Sequence, residues 1–539
     1  MFPTPRKEPM LWVVLIPLMA LKFFYCYQYA NLGWDGRYYI DIAQNIRDGL
    51  GVVSDISMYH QGMNFFPHPT PVYPIWPMVL GYLSRIFPME FLIRWLPGLL
   101  SPVFFILGFV LVREAWPVKI FSIKGWRFHT GHVFLLILGL NYSFLWSTAL
   151  PYTESLTYTL LFLALLRSRH FFAKPGFWRG VELGFWTGLL ILVRSQLILV
   201  FMAVVLVLPI GVLFVQTRQY LKGSVGYLLG FVAILVPQCL FLASFIPDFS
   251  PLVMLRFDSY VASSGLSKLT ILVKTSGLLD YIRDRLQGFV VAFHWKGKYS
   301  YTHSYHYFQY GLVLATPLWI FAGLRILVKG QWLEIPGWFR RKNNLYRFFL
   351  LLFAMGGFFS LHTIHKAMFS TWNFTTRHGI TAAFFMLVGL AYLLQRSRVT
   401  RYLALAIILV STVVGFNSVM VNLKKLIKHR QYRMDRVIHY RLIQWINDGT
   451  SPTKRLTFVE SFPQEHAHLT PDAGYHWICR HTTVNDLLVL FRKKGANYLL
   501  LRYSDRRHKF LKDKKRFNKY FSLYKKLSGF KVYRLKPGK

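Results

Sequence analysis

The sequence predicts a polytopic α-helical membrane protein with about eleven spans and a small C-terminal α/β domain. Two observations lead to this fold class. The 539 residues are 54% apolar with a mean hydropathy of +0.34, a balance that ordinary soluble proteins do not have. The aromatic content of 18% fits long membrane interfaces, where Trp and Tyr anchor the ends of helices.

The individual spans follow from apolar windows of helical length. They lie near residues 10–30, 90–112, 131–149, 154–167, 178–193, 196–216, 224–246, 308–328, 346–361, 379–395 and 402–421. The fourth window is short, so we expect its helix to extend past its charged ends. The first window is long and no small-residue cleavage site follows it, which favours a spanning helix over a signal peptide.

The segments between the spans alternate in character, and this alternation orients the chain. Five short basic segments fall on the side of the N-terminus: residues 113–127, 167–179, 218–222, 325–347 and 396–401. The positive-inside rule places that side in the cytoplasm. The long segments then face outside: residues 31–90, 247–307, 362–378 and the tail after 423. Because long loops carry function, we expect the active surface to be extracytoplasmic. The protein itself is expected to be integral to a bacterial inner or cell membrane.

The tail is predicted to be a separate domain, residues 423–539, that follows a membrane domain of residues 1–422. Its predicted elements are a helix around 434–446, a strand at 455–461, a helix at 482–494 and strands at 497–504 and 529–535. This alternation predicts a small extracytoplasmic α/β domain. Residues 506–526 are strongly basic. We favour a solvated helix face there, with a patch for anionic lipid headgroups as the alternative.

The composition excludes some classes of function. The chain has 64 Lys and Arg against 22 Asp and Glu, but the basic residues lie between apolar runs, where membrane topology places them. A nucleic-acid partner is therefore not expected. Cys26 and Cys239 lie in apolar stretches and Cys479 stands alone, so we expect neither a disulfide framework nor a thiolate zinc site.

The first outer loop contains the most informative segment, from Trp34 to Gly49. An amphipathic helix is predicted there, suited to a membrane surface and stopped by glycines, with Asp41 and Asp48 on its solvated side. Asp35 stands before this helix and directly after the first span. Partial desolvation at the membrane boundary makes a carboxylate a better base. The alternative is an N-cap, and the two roles are compatible.

Several features, in their order along the chain, resemble the GT-C type glycosyltransferases. They are Asp35 ahead of a helix that ends in Asp48-Gly-x-Gly51, the proline-rich segment from Phe66 to Pro74, Leu150-Pro151-Tyr152-Thr153-Glu154, the segment from Gly188 to Arg194, and Arg377-His378. The resemblance points to the branch with dolichyl-phosphate-mannose protein mannosyltransferases and aminoarabinose transferases. It covers nearly the whole chain, and a small C-terminal α/β domain is also typical of that branch.

The resemblance implies an inverting transferase that moves a sugar from a polyprenyl-phosphate donor to a glycan, lipid or protein acceptor. Asp35 would be the catalytic base. Three basic side chains would bind the donor phosphate, namely Arg377, Arg194 and His68. Two further carboxylates would hold the acceptor or support the site, namely Glu154 and Asp41.

One departure from the family concerns a metal. Many relatives have two adjacent acidic residues in the first loop, whereas here Gly36 follows Asp35. Either Asp41 substitutes for the second acid or that acid is dispensable. We therefore assign no metal ligand, and dependence on a divalent metal stays open. His303 and His306 in the loop 247–307 are favoured as part of an interfacial aromatic–His cluster.

Each assignment has a structural alternative. Glu154 can form an ion pair with Arg194, both arginines can extend to lipid headgroups, and His68 can satisfy a turn. For the whole chain, the alternatives are a transporter or flippase for a lipid-linked or anionic solute and a scaffold that presents the C-terminal domain. The outward long loops and the lack of a visible repeat favour the enzyme.

Overall fold

The computed structural model describes most of the chain in separate stretches. These are residues 8–28, 33–57, 68–69, 74–123, 125–194, 197–215, 217–244, 335–341, 343–355, 375–395, 398–429, 440–451, 453–461, 467–470, 472–478, 482–503, 508–527 and 529–538. Two compact units form. One, called here the helical unit, comprises residues 1–29, 94–149 and 153–428; the other, called the sheet unit, comprises residues 30–93, 150–152 and 429–539.

The helices, in chain order, account for most of the described residues. They are α1 (Pro9–Gln28), α2 (Gly33–Arg47), α3 (Ile75–Leu83), α4 (Met89–Leu99), α5 (Ser101–Ala115), α6 (Thr130–Gly139), α7 (Tyr142–Ala149), α8 (Glu154–Ala173), α9 (Phe177–Val193), α10 (Ile198–Phe214), α11 (Thr217–Ala243), α12 (Ile335–Arg340), α13 (Asn344–Met355), α14 (Thr375–Leu394), α15 (Arg398–His429), α16 (Tyr440–Gly449), α17 (Val484–Lys493), α18 (Lys509–Lys512) and α19 (Lys514–Tyr520).

Four helical stretches are long and apolar enough to cross a membrane: Pro9–Gln28, Met89–Ala115, Thr217–Phe241 and Tyr402–Val421. They coincide with the predicted windows 10–30, 90–112, 224–246 and 402–421. The short window at 154–167 does extend, since α8 continues to Ala173. The protein is therefore a multi-span membrane protein. The count of eleven spans stays a prediction, and the window 308–328 lies outside the described residues.

Within the helical unit, α9 and α11 cross so closely that glycine is required. A side chain at Gly184 would overlap the backbone oxygen of Tyr227, and one at Gly230 would overlap that of Val181. Small residues that let backbones approach are a main source of helix association in a bilayer, because lipid tails are as apolar as the helices. This crossing fixes α9, whose end at Val193 is followed directly by Arg194.

Basic residues of the segment 325–347, which is predicted to be cytoplasmic, also complete helix ends. Arg347 donates from Nε to the carbonyl oxygen of Ala115 at 2.6 Å, and Arg340 donates to that of Phe214 at 3.0 Å. The last carbonyls of a helix lack partners within the helix, and a cation there complements the helix dipole. These arginines therefore stabilise the helical unit.

The sheet unit is built on a six-stranded sheet of order β2-β7-β6-β8-β10-β9. Its strands are β2 (Ile56–Ser57), β6 (Leu456–Glu460), β7 (Ala473–Trp477), β8 (Tyr498–Arg502), β9 (Phe521–Leu527) and β10 (Phe530–Leu535). β2, β7, β6 and β8 run parallel to one another, whereas β10 is antiparallel to both of its neighbours, β8 and β9. Two strand pairs lie elsewhere: β1 (Val53–Ser54) with β3 (His68–Pro69), and β4 (Lys119–Ile123) with β5 (Trp126–His129).

Helices cover both faces of this sheet. On one face Trp445 of α16 packs edge-on against Phe458 and Tyr498, at ring distances of 6.1 and 5.4 Å. On the other face a core forms between the sheet and α17, α18 and α19; it includes Leu487 and Phe517. The predicted strands β6, β8 and β10 and the predicted helix α17 are all present, so the tail has the α/β character expected of it.

Three strands of the six-stranded sheet were not predicted from the sequence. β7 is buried from Ala473 to His476. Since both of its faces are covered and it includes Gly474 and His476, its sequence lacks the alternation that indicates a strand. β9 is an edge strand with charged residues, which protect sheet edges from aggregation and here obscured the pattern. β2 has only two residues and comes from the first outer loop. It pairs in parallel with Tyr475 and His476 of the tail.

Candidate active site

The proposed base, Asp35, lies within the first turn of α2. The helix begins at Gly33, so Asp35 is inside it rather than ahead of it, and its side chain is half-buried. An acidic residue in the first turn is stabilised by the positive end of the helix dipole. Because α1 ends at Gln28, a few residues separate this carboxylate along the chain from a candidate membrane span.

The start of α2 packs against the proline motif that the sequence singled out. A side chain at Gly36 would come within 2.9 Å of Cγ of Pro151 and 3.4 Å of the ring of Tyr152. The backbone oxygen of Pro151 in turn accepts a hydrogen bond from Nε1 of Trp76 at 3.0 Å. Glycine after Asp35 is therefore needed for close packing, which explains why a second acidic residue does not stand there.

Asp41 is buried in the sheet unit. Its carboxylate is 2% exposed and accepts hydrogen bonds from Oγ of Ser54 at 2.6 Å and from the backbone N–H of Asp55 at 3.1 Å. Burial raises the pKa of Asp41 to about 7, and the Ser54 hydrogen bond and the charge of Arg455 offset this only in part. The expectation of a solvated Asp41 is wrong, because α3, β1 and a 3-10 turn at Ala467–Leu469 surround α2. Asp48 is exposed as expected.

A guanidinium supplies the positive charge next to these carboxylates. Arg455 forms an ion pair with Asp55, whose side chain is 3% exposed, and its charge also acts on Asp41. Burial lowers the pKa of Arg455, while Asp41 raises it. A divalent cation would have to compete with this resident cation, so the pair Asp41 and Asp55 does not fit a metal site.

In the helical unit, Glu154 and Arg194 form a buried ion pair. Nη1 of Arg194 lies 2.9 Å from Oε1 of Glu154, with side chains 8% and 1% exposed. The same Nη1 donates to Oγ1 of Thr153 at 3.2 Å. The first turn of α8 thus meets the residue that follows α9. The ion pair considered from sequence is present, and both of its charges are buried.

Sequence analysis missed Lys22, which is fully buried in α1. Its Nζ donates to the backbone oxygen of Leu145 at 3.1 Å and to Oγ1 of Thr148 at 2.5 Å, both on α7. Ionisable groups inside a membrane helix are costly and are functional candidates by default. Thr148 is also linked onward, since its backbone oxygen accepts from Ser155 in α8 at 2.7 Å. Lys22 therefore joins α1 to the α7–α8 region that carries Glu154.

Two predicted phosphate ligands are placed only by their backbones. His68 lies in β3 opposite Ser54 of β1, and Arg377 lies in the first turn of α14. Their side chains, and the loop 247–307 with His303 and His306, lie outside the described residues. Their roles stay predictions.

Another group of metal-ligating residues lies in the helical unit. Glu8, His129 and His132 bring ligand atoms within 4.8 Å of one another. However, Glu8 is ion-paired with Arg113 at 2.7 Å, and Nδ1 of His132 accepts from the backbone N–H of His129 at 3.0 Å. A neutral His132 then has its proton on Nε2, where it cannot ligate a metal. This group fits a helix cap better than a cation site.

Comparison with solved structures gives the architecture its identity. The chain superposes over 98% of its length on 98% of ArnT from Cupriavidus metallidurans bound to undecaprenyl phosphate, with a TM-score of 0.51 and 9% identity. The chain has the GT-C fold. This GT-C chain also resembles the archaeal oligosaccharyltransferase AglB from Archaeoglobus fulgidus, whose structure was determined with an inhibitory peptide and a dolichol-phosphate. The match covers 98% of this chain and 74% of AglB, with a TM-score of 0.55 and 12% identity.

A third GT-C structure is similar over a smaller part of its own length. The whole chain matches 40% of the mycobacterial arabinofuranosyltransferase AftD, at a TM-score of 0.50 and 14% identity. No protein-family model and no curated protein matches the sequence. The predicted resemblance is thus confirmed at the level of the GT-C fold.

Proposed function

We propose that the protein is an inverting glycosyltransferase that transfers a sugar from a polyprenyl-phosphate donor to an acceptor at the extracytoplasmic membrane face. The observation that carries this proposal is the near full-length GT-C architecture, shared with a transferase bound to undecaprenyl phosphate. Asp35 adds to it, because the fold holds a half-buried carboxylate in the first turn of the helix that follows α1. The sugar and the acceptor are left open.

In the proposed reaction, Asp35 acts as general base. It takes the proton from an acceptor hydroxyl or amine as that atom attacks the anomeric carbon. The bond between the anomeric carbon and the phosphate oxygen breaks, the electron pair leaves with the polyprenyl phosphate, and direct displacement inverts the anomeric configuration. Developing charge on the phosphate requires cations, for which Arg194, Arg377 and His68 are proposed.

Glu154 and Asp41 are proposed as supporting residues, each within its own unit. Glu154 orients Arg194 through their 2.9 Å ion pair, so loss of Glu154 would alter the position of a proposed phosphate ligand. Asp41 fixes the loop after α2 through Ser54 and Asp55. Both would act through their neighbours.

The experiment uses the full chain in nanodiscs with radiolabelled polyprenyl-phosphate sugars, hexoses and pentoses, and a membrane extract as source of acceptors. Release of polyprenyl phosphate and labelled product are both measured. We expect Asp35→Asn to lower turnover by about 10²–10⁴-fold, the usual contribution of a general base. Asp48→Asn is the matched control, because Asp48 is an exposed acid in the turn that follows α2. This variant should retain wild-type turnover.

Two outcomes would contradict the proposal. Wild-type turnover in a folded Asp35→Asn variant would remove Asp35 as base. Movement of the labelled lipid across the bilayer of sealed proteoliposomes, without cleavage of the glycosidic bond, would instead support the transporter or flippase. Folding of both variants is checked by size-exclusion chromatography and thermal unfolding.

A further inference from the structure

The C-terminal edge of the sheet unit carries a dense group of exposed cations. Between residues 509 and 536 there are eleven Lys and Arg and a single acidic residue, Asp513. Nine of these cations are exposed, and the eight that follow Lys509 are called here the cationic rim: Lys512, Lys514, Lys515, Arg516, Lys519, Lys525, Lys526 and Arg534. The rim includes most of α19 and the middle of the edge strand β9.

The charge of the cationic rim is not neutralised by nearby carboxylates. Among the residues that the structure describes, none of the eight forms an ion pair with Asp or Glu. Two described acids near the rim serve at the starts of helices: Asp513 accepts from the backbone N–H of Arg516 at 3.2 Å, and Asp486 completes a capping box with Thr483. Unpaired like charges at this density repel one another and attract a polyanion.

The cations lie on both faces of the sheet. Lys525 lies 5.8 Å from the ring centre of Trp445, on the face that α16 covers. On the opposite face, Phe517 of α19 packs edge-on against Tyr533 at 5.2 Å. The register gives the faces: Tyr533 pairs with Leu499, the neighbour of the Tyr498 that contacts Trp445, and successive strand residues point to opposite faces.

Because β9 is the last strand of the sheet, these two sets of cations surround an edge with which no strand of the described residues pairs. A flat bilayer can contact one side of such an edge, whereas a flexible chain can contact both. The aromatic rings next to the rim are also occupied: Arg534 lies over Tyr524 at 5.2 Å and Lys525 over Trp445. Single-stranded nucleic acid is held by open aromatic rings on which bases stack, so this surface is a poor match for it.

We propose that the cationic rim binds a flexible anionic glycan whose phosphate or carboxylate groups contact both faces of the β9 edge. The ligand is a polymer recognised by charge, in keeping with exposed Lys and Arg rather than a closed pocket. This goes beyond the proposed function, since the binding requires no sugar transfer. It assigns the basic tail to a partner surface, where the solvated face was favoured from sequence.

The test measures binding of fluorescent polygalacturonate and poly(glycerol phosphate) to the full chain in zwitterionic nanodiscs, by anisotropy over a salt series. One triple variant removes charge on the α19 side, Lys514→Gln with Lys515→Gln and Lys519→Gln. A second removes charge along the β9–β10 hairpin, Lys525→Gln with Lys526→Gln and Arg534→Gln. The matched control removes three exposed cations elsewhere in the sheet unit, Arg441→Gln with Lys454→Gln and Lys493→Gln.

We expect each rim triple to weaken binding by about tenfold and to flatten the salt dependence, because fewer counterions are released. The control triple should change affinity by less than about threefold, and neutral dextran should not bind. The proposal is overturned if the control triple loses as much affinity as the rim triples, or if single-stranded DNA binds more tightly than either glycan. It is also overturned if the chain binds only nanodiscs that contain anionic lipid and only one rim triple weakens that binding. Sugar-transfer activity is recorded separately, so failure of this proposal leaves the proposed function untouched.

Discussion

Arg455 forms an ion pair with the buried carboxylate of Asp55, a residue 400 positions earlier in the chain. Next to it, the backbone oxygen of Asp55 accepts from the N–H of Tyr475 at 2.8 Å, where β2 joins β7. The first outer loop and the tail are therefore one folded structure inside the sheet unit. This relationship leads to the first prediction.

Arg455→Leu should destabilise the sheet unit by about 3–5 kcal/mol, because it leaves the Asp55 carboxylate buried without its cation. The free energy of unfolding is measured by chemical denaturation in detergent, followed by tryptophan fluorescence. In the double variant Arg455→Leu with Asp55→Leu, both charges are gone and most of the loss should be recovered. A double variant as unstable as the single one would show that the ion pair is not the cause.

A second prediction concerns pH and Asp41. Its pKa is raised to about 7 by burial, above the value of an unfolded chain, so the folded state holds a proton that the unfolded state releases. The stability from this proton is present below pH 4 and is lost as pH rises through 7. The thermal midpoint should therefore fall between pH 5 and 8 in the wild type and fall less in Asp41→Asn. Asp48→Asn should behave as wild type; an identical slope in all three would contradict the assignment.

The third prediction separates structure from binding at Glu154 and Arg194. Each single change, Glu154→Gln or Arg194→Gln, should cost about 3–5 kcal/mol of stability by leaving a buried charge without its partner. The double variant should cost less than the sum. If Arg194 also binds the donor phosphate, the donor KM stays high in the double variant although stability recovers. Recovery of both would assign the pair a structural role alone.

The fourth prediction concerns Lys22 and Thr148. Lys22→Met removes a buried cation and keeps its shape, so stability should change by less than about 1 kcal/mol or increase. Thr148→Val instead leaves the ammonium with one acceptor fewer and should cost about 1–3 kcal/mol. Thermal unfolding in nanodiscs compares the two. The reverse order of effects would show that Lys22 stabilises the α1–α7 contact outright.

The parts of the fold that sequence could predict are those with a local pattern. Windows such as 402–421 are apolar along most of their length, and α17 shows helical spacing, so both can be predicted from a short stretch of sequence. β2 could not be predicted, because two residues have no periodicity and their partner strand lies in the tail. Its pairing depends on long-range contacts that no window contains.

Only some residues of the candidate site could be predicted from the sequence. Asp35 stood out because a carboxylate directly after an apolar run is unusual, and Glu154 with Arg194 flanked predicted spans. Lys22 was missed because an apolar run surrounds it and hides a single charge. Asp41 was placed on the wrong side because a helical stripe assumes one buried face, whereas α2 is enclosed on several sides.

The two-residue strand β2 has a consequence for exchanging parts between relatives. A chimera that replaces only the tail would take β7 away from β2. A foreign strand that does not pair with β2 would present an open sheet edge, and exposed backbone groups at such an edge recruit other chains. The exchange would also remove Arg455 and leave the buried Asp55 carboxylate of the first outer loop without its cation. Residues 30–93 and 429–539 should therefore be exchanged together, as a single inheritable module encoded in two distant pieces of the gene.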